Sequence, residues 1–291
     1  MHTLTLKYLS QKNNVSTVTL STRFQKFLAQ LPTALEYLKR LSQNNKIKNQ
    51  CSGFLLIDGD WFGRKRVLIV YKDSQAGILF WRFADGEYKA QVKQDIEYLK
   101  DKGYPLKGTV SDGKNSLVNA AKSHQVPVQR CLVHIQMRLK SLLTQNPQSA
   151  AGKQLKEWSY SVNKISNQYE AKILLLWFIR LYKRHKDFIK EKTNYIDPKT
   201  DKKRWWYTHK NVRKAYRLIA NSFGQMFTYL RFKNMPKDTN GLEGFFSQLD
   251  TKISRHRGLK QPKKENLIAW LLYLKRFPKT TQKEVKNPHL T

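Results

Sequence analysis

Three short runs rich in branched and aromatic residues, Phe54–Asp60, Arg66–Lys72 and Ile78–Ala84, follow one another with only turn-like segments between them. Runs of that length and composition predict strands, and the short connections suit hairpins. Asp85-Gly86 closes the third run. From there the pattern alternates. A helix is predicted from about Tyr88 to Lys102, with Val92, Ile96 and Leu99 on one face and Gly103 past its end. Pro105–Ser111 reads as a short buried strand, Asn115–His124 as a helix, Val126–Val133 as a strand and His134–Thr144 as a helix. Three hairpin-compatible strands followed by α-β-α-β-α point to an α/β fold built on one mixed sheet.

That is the element order of the ribonuclease H-like fold, in which the first, fourth and fifth strands form the parallel part of the sheet. Three acids are placed to match it. Asp58 ends the run Phe54-Leu55-Leu56-Ile57, and Asp112 ends Thr109-Val110-Ser111. Glu243 lies in Thr239-Asn240-Gly241-Leu242-Glu243, at the apparent start of a helix. Adjacent strands lie ~4.8 Å apart, so aspartates at neighbouring strand ends can converge on the same ions. A helix bringing Glu243 across that edge would complete a carboxylate cluster for paired divalent cations. Ligands of this hardness suit Mg2+, with Mn2+ as a substitute, rather than zinc. Singly, Asp-Gly after a strand is a common turn. The order of the acids on the element pattern is what makes them a candidate site.

The rest of the chain is basic. It has 55 Lys plus Arg against 21 Asp plus Glu, a net charge of +34. Residues 1–50 hold 8 basic and 1 acidic residue (+7), residues 51–135 hold 13 and 9 (+4), and residues 136–291 hold 34 and 11 (+23). A nearly balanced centre between strongly basic flanks suits a nuclease-like core with segments that grip phosphate, and fits poorly with a protein that coats RNA uniformly. Cys51 and Cys131 are too few for a disulfide framework or a zinc module of their own. No apolar run approaches the ~20 residues of a membrane span, and Met1-His2-Thr3-Leu4 does not open a signal segment. The expectation is a soluble protein of the cytoplasm, associated with the nucleoid, with no membrane partner.

Residues 1–38 outline a short helix, a turn at Asn14-Val15-Ser16 and a longer helix from Thr17, with Ser16 or Thr17 as its cap. This suits a helix-turn-helix presenting Thr17, Thr19, Thr22, Arg23 and Lys26 to DNA, or an ordinary helical hairpin. The further upstream helix usual in such modules is missing, so the segment reads as truncated or compact. Residues 39–52 read as a basic linker. Residues 53–144 form the first part of the core, and 145–235 an all-helical insertion with long runs at Ala171–Lys186 and Arg213–Tyr229. Residues 236–277 return to the core with the glutamate helix and a C-terminal helix at Asn266–Lys275, and 278–291 are a tail.

Taken together, Ile57-Asp58-Gly59, Ser111-Asp112-Gly113, Cys131-Leu132-Val133-His134 and Thr239-Asn240-x-x-Glu243 followed by Arg255-His256-Arg257-Gly258-Leu259 resemble the DDE transposases of bacterial insertion sequences, in their Mutator-like branch. The helical insertion before the glutamate also matches, and the resemblance covers about residues 53–260. It implies that Asp58, Asp112 and Glu243 are a metal-binding catalytic triad and that His134 positions the scissile phosphate or steadies the site's edge. It further implies DNA as the partner, both element ends and target, and a dimer or higher assembly on it.

The resemblance has departures. A small hydroxyl residue is usual where Asp60 stands. Alternation puts Asp58 and Asp60 on the same side of the strand, so Asp60 contests the first position, though Asp58 follows the apolar run directly. Asp73 is either a supporting carboxylate or a turn residue. Cys131 and His134 alone are too few for a closed zinc site, and a buried Cys with a locally paired His is the plainer reading. Arg204, Trp205 and Trp206, in a basic stretch, either stack on an unpaired base or pack in the core. Arg255, His256 and Arg257 are candidate phosphate contacts or a solvated face. The competing functions are a DNA-binding remnant without catalysis, a ribonuclease H-like nuclease or resolvase, and, more remotely, a ribosome-associated protein.

Overall fold

The computed structural model describes residues 6–29, 33–43, 47, 50–256 and 258–274. Strands β1 (Phe54–Trp61), β2 (Val67–Asp73) and β3 (Gly77–Ala84) form an antiparallel meander. They are followed by α4 (Lys89–Asp101), β4 (Gly108–Ser111), α5 (Asn115–Lys122), β5 (Val128–Arg130) and α6 (Leu132–Leu143), after three N-terminal helices described below. The five strands lie in the order β3-β2-β1-β4-β5, with β4 parallel to both β1 and β5. This mixed sheet is compatible with a ribonuclease H-like fold.

Alternation along the strands builds two cores. Leu55, Ile57, Val67, Ile69 and Tyr71 face α4 and α5, packing on Val92, Ile96, Leu99 and Leu117. Phe54, Leu56, Leu68, Val70 and Val110 face the opposite way. There they meet Leu242, Phe245, Phe246 and Leu249 of α10 (Asn240–Ile253) and Ile268 and Leu272 of α11 (Gln261–Leu274). Both faces of the sheet are therefore covered, as a sheet with a parallel part requires.

Between β5 and α10 the chain makes a long excursion through α7 (Ala150–Ser161), α8 (Gln168–Lys190) and α9 (Lys210–Met226). These pack with α6 around Trp158, Phe178 and Tyr216 as a core of their own. The expectation of an all-helical segment is corrected here. Between α8 and α9 stands a two-stranded antiparallel hairpin, β6 (Lys192–Ile196) and β7 (Lys203–Tyr207). Asp197-Pro198-Lys199-Thr200-Asp201 turns it: the Asp201 amide donates to Asp197 O (2.9 Å), the Lys199 amide to Asp197 Oδ1 (3.0 Å), and Asp201 has φ 51°. Thr193, Tyr195, Trp205 and Trp206 are good strand residues on either side of that turn. The excursion returns to the sheet at Gln129, which is fully buried. Its Nε2 donates to Met226 O (2.7 Å), and its Oε1 accepts from the Tyr229 amide (3.0 Å).

At the N-terminus α1 (Leu6–Asn13) and α2 (Thr17–Ala29) form a hairpin in which Ser16 Oγ caps α2 by accepting from the Thr19 amide (3.0 Å). A third helix, α3 (Ala34–Gln43), runs into the stretch expected to be linker. Thr33-Ala34-Leu35-Glu36 is a capping box: Thr33 Oγ1 accepts from the Glu36 amide (3.2 Å) and Glu36 Oε2 from the Thr33 amide (2.7 Å). Tyr37 and Leu38 then bury this helix against the two cores of the sheet. No described helix is long and apolar enough to cross a membrane.

Candidate active site

Asp58 and Asp112 are brought together by register. In the parallel pair β1/β4, Ile57 is opposite Ser111, so the next residues on the two chains are the aspartates. Val110 faces α10, and alternation sends Asp112 to that same side; Leu56 does the same for Asp58. Asp58 is buried, and its Oδ1 accepts from the Gly59 amide (2.9 Å). Burial pushes its carboxyl up to about 6; the charge of His134 opposes this and that of Asp112 adds to it.

Beside the aspartates, β5 ends at Arg130 opposite Ser111, and the Cys131 amide donates to Ser111 O (2.7 Å). Cys131 is fully buried and opens α6, which places His134 in that helix's first turn. Cys131 also sets the start of α10. Its Sγ accepts from both the Thr239 amide and Thr239 Oγ1, each at 3.3 Å, and the Leu132 amide donates to Lys237 O (3.2 Å). Glu243, in the first turn of α10, thus lies with Oε1 3.5 Å from His134 Nδ1. Both atoms are buried and neither makes a hydrogen bond. The His134 imidazolium is held up to about 9, chiefly by the neighbouring Cys131 sulfur and, against the cost of burial, by the charges of Asp58 and Glu243.

Lys114 and Arg130 close the edge. Lys114 Nζ bridges Glu87 and Asp112, the latter at 3.4 Å. Burial lowers the Lys114 ammonium's pKa, but the hydrogen bond to Glu87 and the nearby acids raise it further than that. Arg130 bonds Gly113 O and Ser222 Oγ, and burial lowers its pKa despite the charge of Asp112. Sequence reasoning missed Lys114, Arg130 and Glu87, and named Thr239 only as part of the block around Glu243. Only Lys114, directly after Asp112-Gly113, could have been suspected from local pattern.

The donor set fits a hard divalent cation. Asp58 and Asp112 oppose each other electrostatically, and Glu243 Oε1 is an orphaned buried acceptor; a cation would relieve both. Glu243, however, is turned toward His134. Among the described residues the ligand atoms that lie within 4.8 Å of one another are those of Cys131, His134 and Glu243, not those of the three carboxylates.

The remaining candidates are placed as follows. Asp60 is opposite Leu68, with Asp250 and Lys264 as its charged neighbours, and so lies away from the Asp58–Asp112 pair. Asp73 is a turn residue: its fully buried carboxylate accepts from Ser52, Gly53, Gln75, Ala76 and Tyr104, opposite Leu55 at the other end of β1. Burial raises its pKa, yet the hydrogen bonds bring it below the ordinary carboxylate range. Thr17, Thr19, Thr22, Arg23 and Lys26 are exposed on α2. Arg204, Trp205 and Trp206 are exposed on β7, the two indoles at 55% and 47%, so core packing is excluded for them. Lys192 Nζ lies 4.0 Å from the Trp205 ring centre and Arg213 3.7 Å from that of Tyr207. Arg255 and His256 are exposed in a 3-10 turn after α10, and Arg257 lies outside the described residues, as do 275–291.

No family model matches the chain, and no curated protein matches it. Among solved structures, the crystal structure of the Mos1 strand transfer complex is similar over 76% of this chain and 72% of that one, at 9% identity and a TM-score of 0.22. A likeness at that score carries no argument.

Proposed function

We propose that this protein is a DDE transposase, a polynucleotidyl transferase that cleaves DNA at the ends of an insertion sequence and joins them to target DNA. The observation that carries the reading is the placement of Asp58 and Asp112 side by side, each directly after the last residue paired between the parallel strands β1 and β4, facing the helix that bears Glu243. Asp58, Asp112 and Glu243 would hold Mg2+, or Mn2+ in its place. When bound, the metal supplies Lewis-acid stabilisation of charge on phosphoryl oxygens. The chain's own cations do the rest. His134, charged at neutral pH, orients a phosphate oxygen at the edge of the site. Lys114 and Arg130 hold the Asp112 loop in place from either side.

The exposed threonines and cations of α2, Arg204 with the Trp205–Trp206 hairpin, and Arg255 and His256 of the turn after α10, with Arg257 next in sequence, grip DNA outside the site. Bringing two element ends together calls for two subunits. A DNA-binding remnant without catalysis is the second reading, favoured by Glu243 facing His134 rather than the aspartates.

The test is Mg2+-dependent cleavage and strand transfer on DNA from the gene's own flanks, wild type against Asp112→Ala. Loss of about 10³-fold or more in the variant, ~4 kcal/mol of transition-state stabilisation, is the expected result. Tight binding with no cleavage by either protein, in Mg2+ or Mn2+, would overturn the enzyme reading in favour of the remnant.

A further inference from the structure

Cys131, His134 and Glu243 come from the end of β5, the first turn of α6 and the first turn of α10, and their ligand atoms lie within 4.8 Å of one another. One sulfur, one imidazole nitrogen and one carboxylate oxygen are a poor set for Mg2+ and a good one for zinc, whose catalytic-type sites use three protein ligands and keep a fourth position open. We propose that these three residues bind a borderline-soft divalent cation of the Zn2+ class, at a site that shares Glu243 with the carboxylate edge.

Spacing supports this. Tetrahedral bonds of ~2.0–2.3 Å to zinc put ligand atoms roughly 3.3–3.6 Å apart. His134 Nδ1 and Glu243 Oε1 are already 3.5 Å apart. Both are buried, and they face each other as an ion pair without a hydrogen bond to either atom, a contact into which the ion would insert. The sulfur is held in place from behind by the Thr239 amide and hydroxyl, each 3.3 Å away. Such hydrogen bonds from a neighbouring residue fix a ligand's orientation and are a usual part of metal sites.

The consequence for activity rests on the transposase reading, whereas the binding itself does not. An ion at this site draws Glu243 away from Asp58 and Asp112, so Zn2+ should inhibit Mg2+-dependent cleavage.

Co2+, which reports its ligands by absorption, is the probe. The full chain titrated with Co2+ should develop a thiolate-to-cobalt charge-transfer band and the strong visible bands of four-coordinate cobalt, both removed by equimolar Zn2+. Cys131→Ser should lose the charge-transfer band with its circular dichroism unchanged, and Cys51→Ser should keep it. Glu243→Gln should keep the band and weaken Co2+ binding about tenfold or more, which decides the matter even if Cys131→Ser does not fold. Absence of the band at millimolar Co2+, its loss with Cys51 instead of Cys131, or unchanged affinity in Glu243→Gln would overturn the proposal. A protein that binds Co2+ in this way but never cuts DNA would refute the transposase reading and leave this one standing.

Discussion

Asp58 is buried beside another acid, and its titration ties the site to stability. Its folded pKa of about 6 exceeds the usual 3.8, mainly through burial. Its contribution to stability is therefore complete below about 3.8 and is lost as pH rises through about 6. At pH 7.5 the metal-free fold should bear a penalty of up to about 3 kcal/mol there, from about two units at 1.36 kcal/mol each. Thermal unfolding should show Asp58→Asn with a higher Tm than wild type at pH 7.5, and no advantage at pH 4. His134 works in the other direction. With its pKa raised from 6.5 to about 9, its stabilising charge is complete below 6.5 and lost as pH rises through 9. His134→Gln should thus be less stable than wild type at pH 6 and nearly level with it at pH 9.5. Gly113 answers to shape instead. Its φ is 88°, and a Cβ there would sit 2.1 Å from Arg130 Nε. Gly113→Ala should cost about 2 kcal/mol or more in urea unfolding, and should cut activity by moving the Asp112 loop.

At the scale of elements, the hairpin gives the sharpest division between binding and folding. Both its indoles are about half exposed, Trp205 packing on Lys192 and Tyr207 and Trp206 on Tyr195 rather than in a core. Trp205→Ala and Trp206→Ala should leave Tm nearly unchanged and weaken binding to DNA with unpaired ends by about 1–3 kcal/mol each, the worth of a stacked base. Equal binding by variants and wild type would remove the hairpin from the interface.

The five strands of the sheet and the helices α4, α5 and α6 were legible because each is a local pattern of branched residues or of one apolar face. The hairpin was not, because Lys192, Asn194, Lys203 and Arg204 dilute its strand signal, and the neighbouring helices dominate the segment. α3 was hidden by basic residues after Tyr37, although Thr33 and Glu36 spelled out its start. In the site, the two aspartates could be paired from strand order. The bonds from Thr239 to Cys131 and from Lys114 to Glu87 could not, since they join residues 108 and 27 apart in sequence.

For the whole molecule, the charge predicts how DNA binding responds to salt. If the basic flanks neutralise 6–10 phosphates, affinity should fall by roughly 10³–10⁵ between 50 and 200 mM salt. A titration by fluorescence anisotropy would measure the slope, and a flat one would show that the excess of +34 is not spent on phosphate. The clasp at Gln129 matters in another way, through time. Asp58 and Asp112 are synthesised while Glu243 is still about 130 residues away, which is roughly 7–26 s at ribosomal speeds of ~5–20 residues per second. The helical excursion must fold and return to Gln129 before the third acid can take its place. Until then a nascent chain has most of its basic residues but only two of the three site acids. Under the proposed function, a copy that stops short of α10 would hold DNA without cutting it. Interrupted translation or proteolysis would then turn the protein into a competitor of its own complete form.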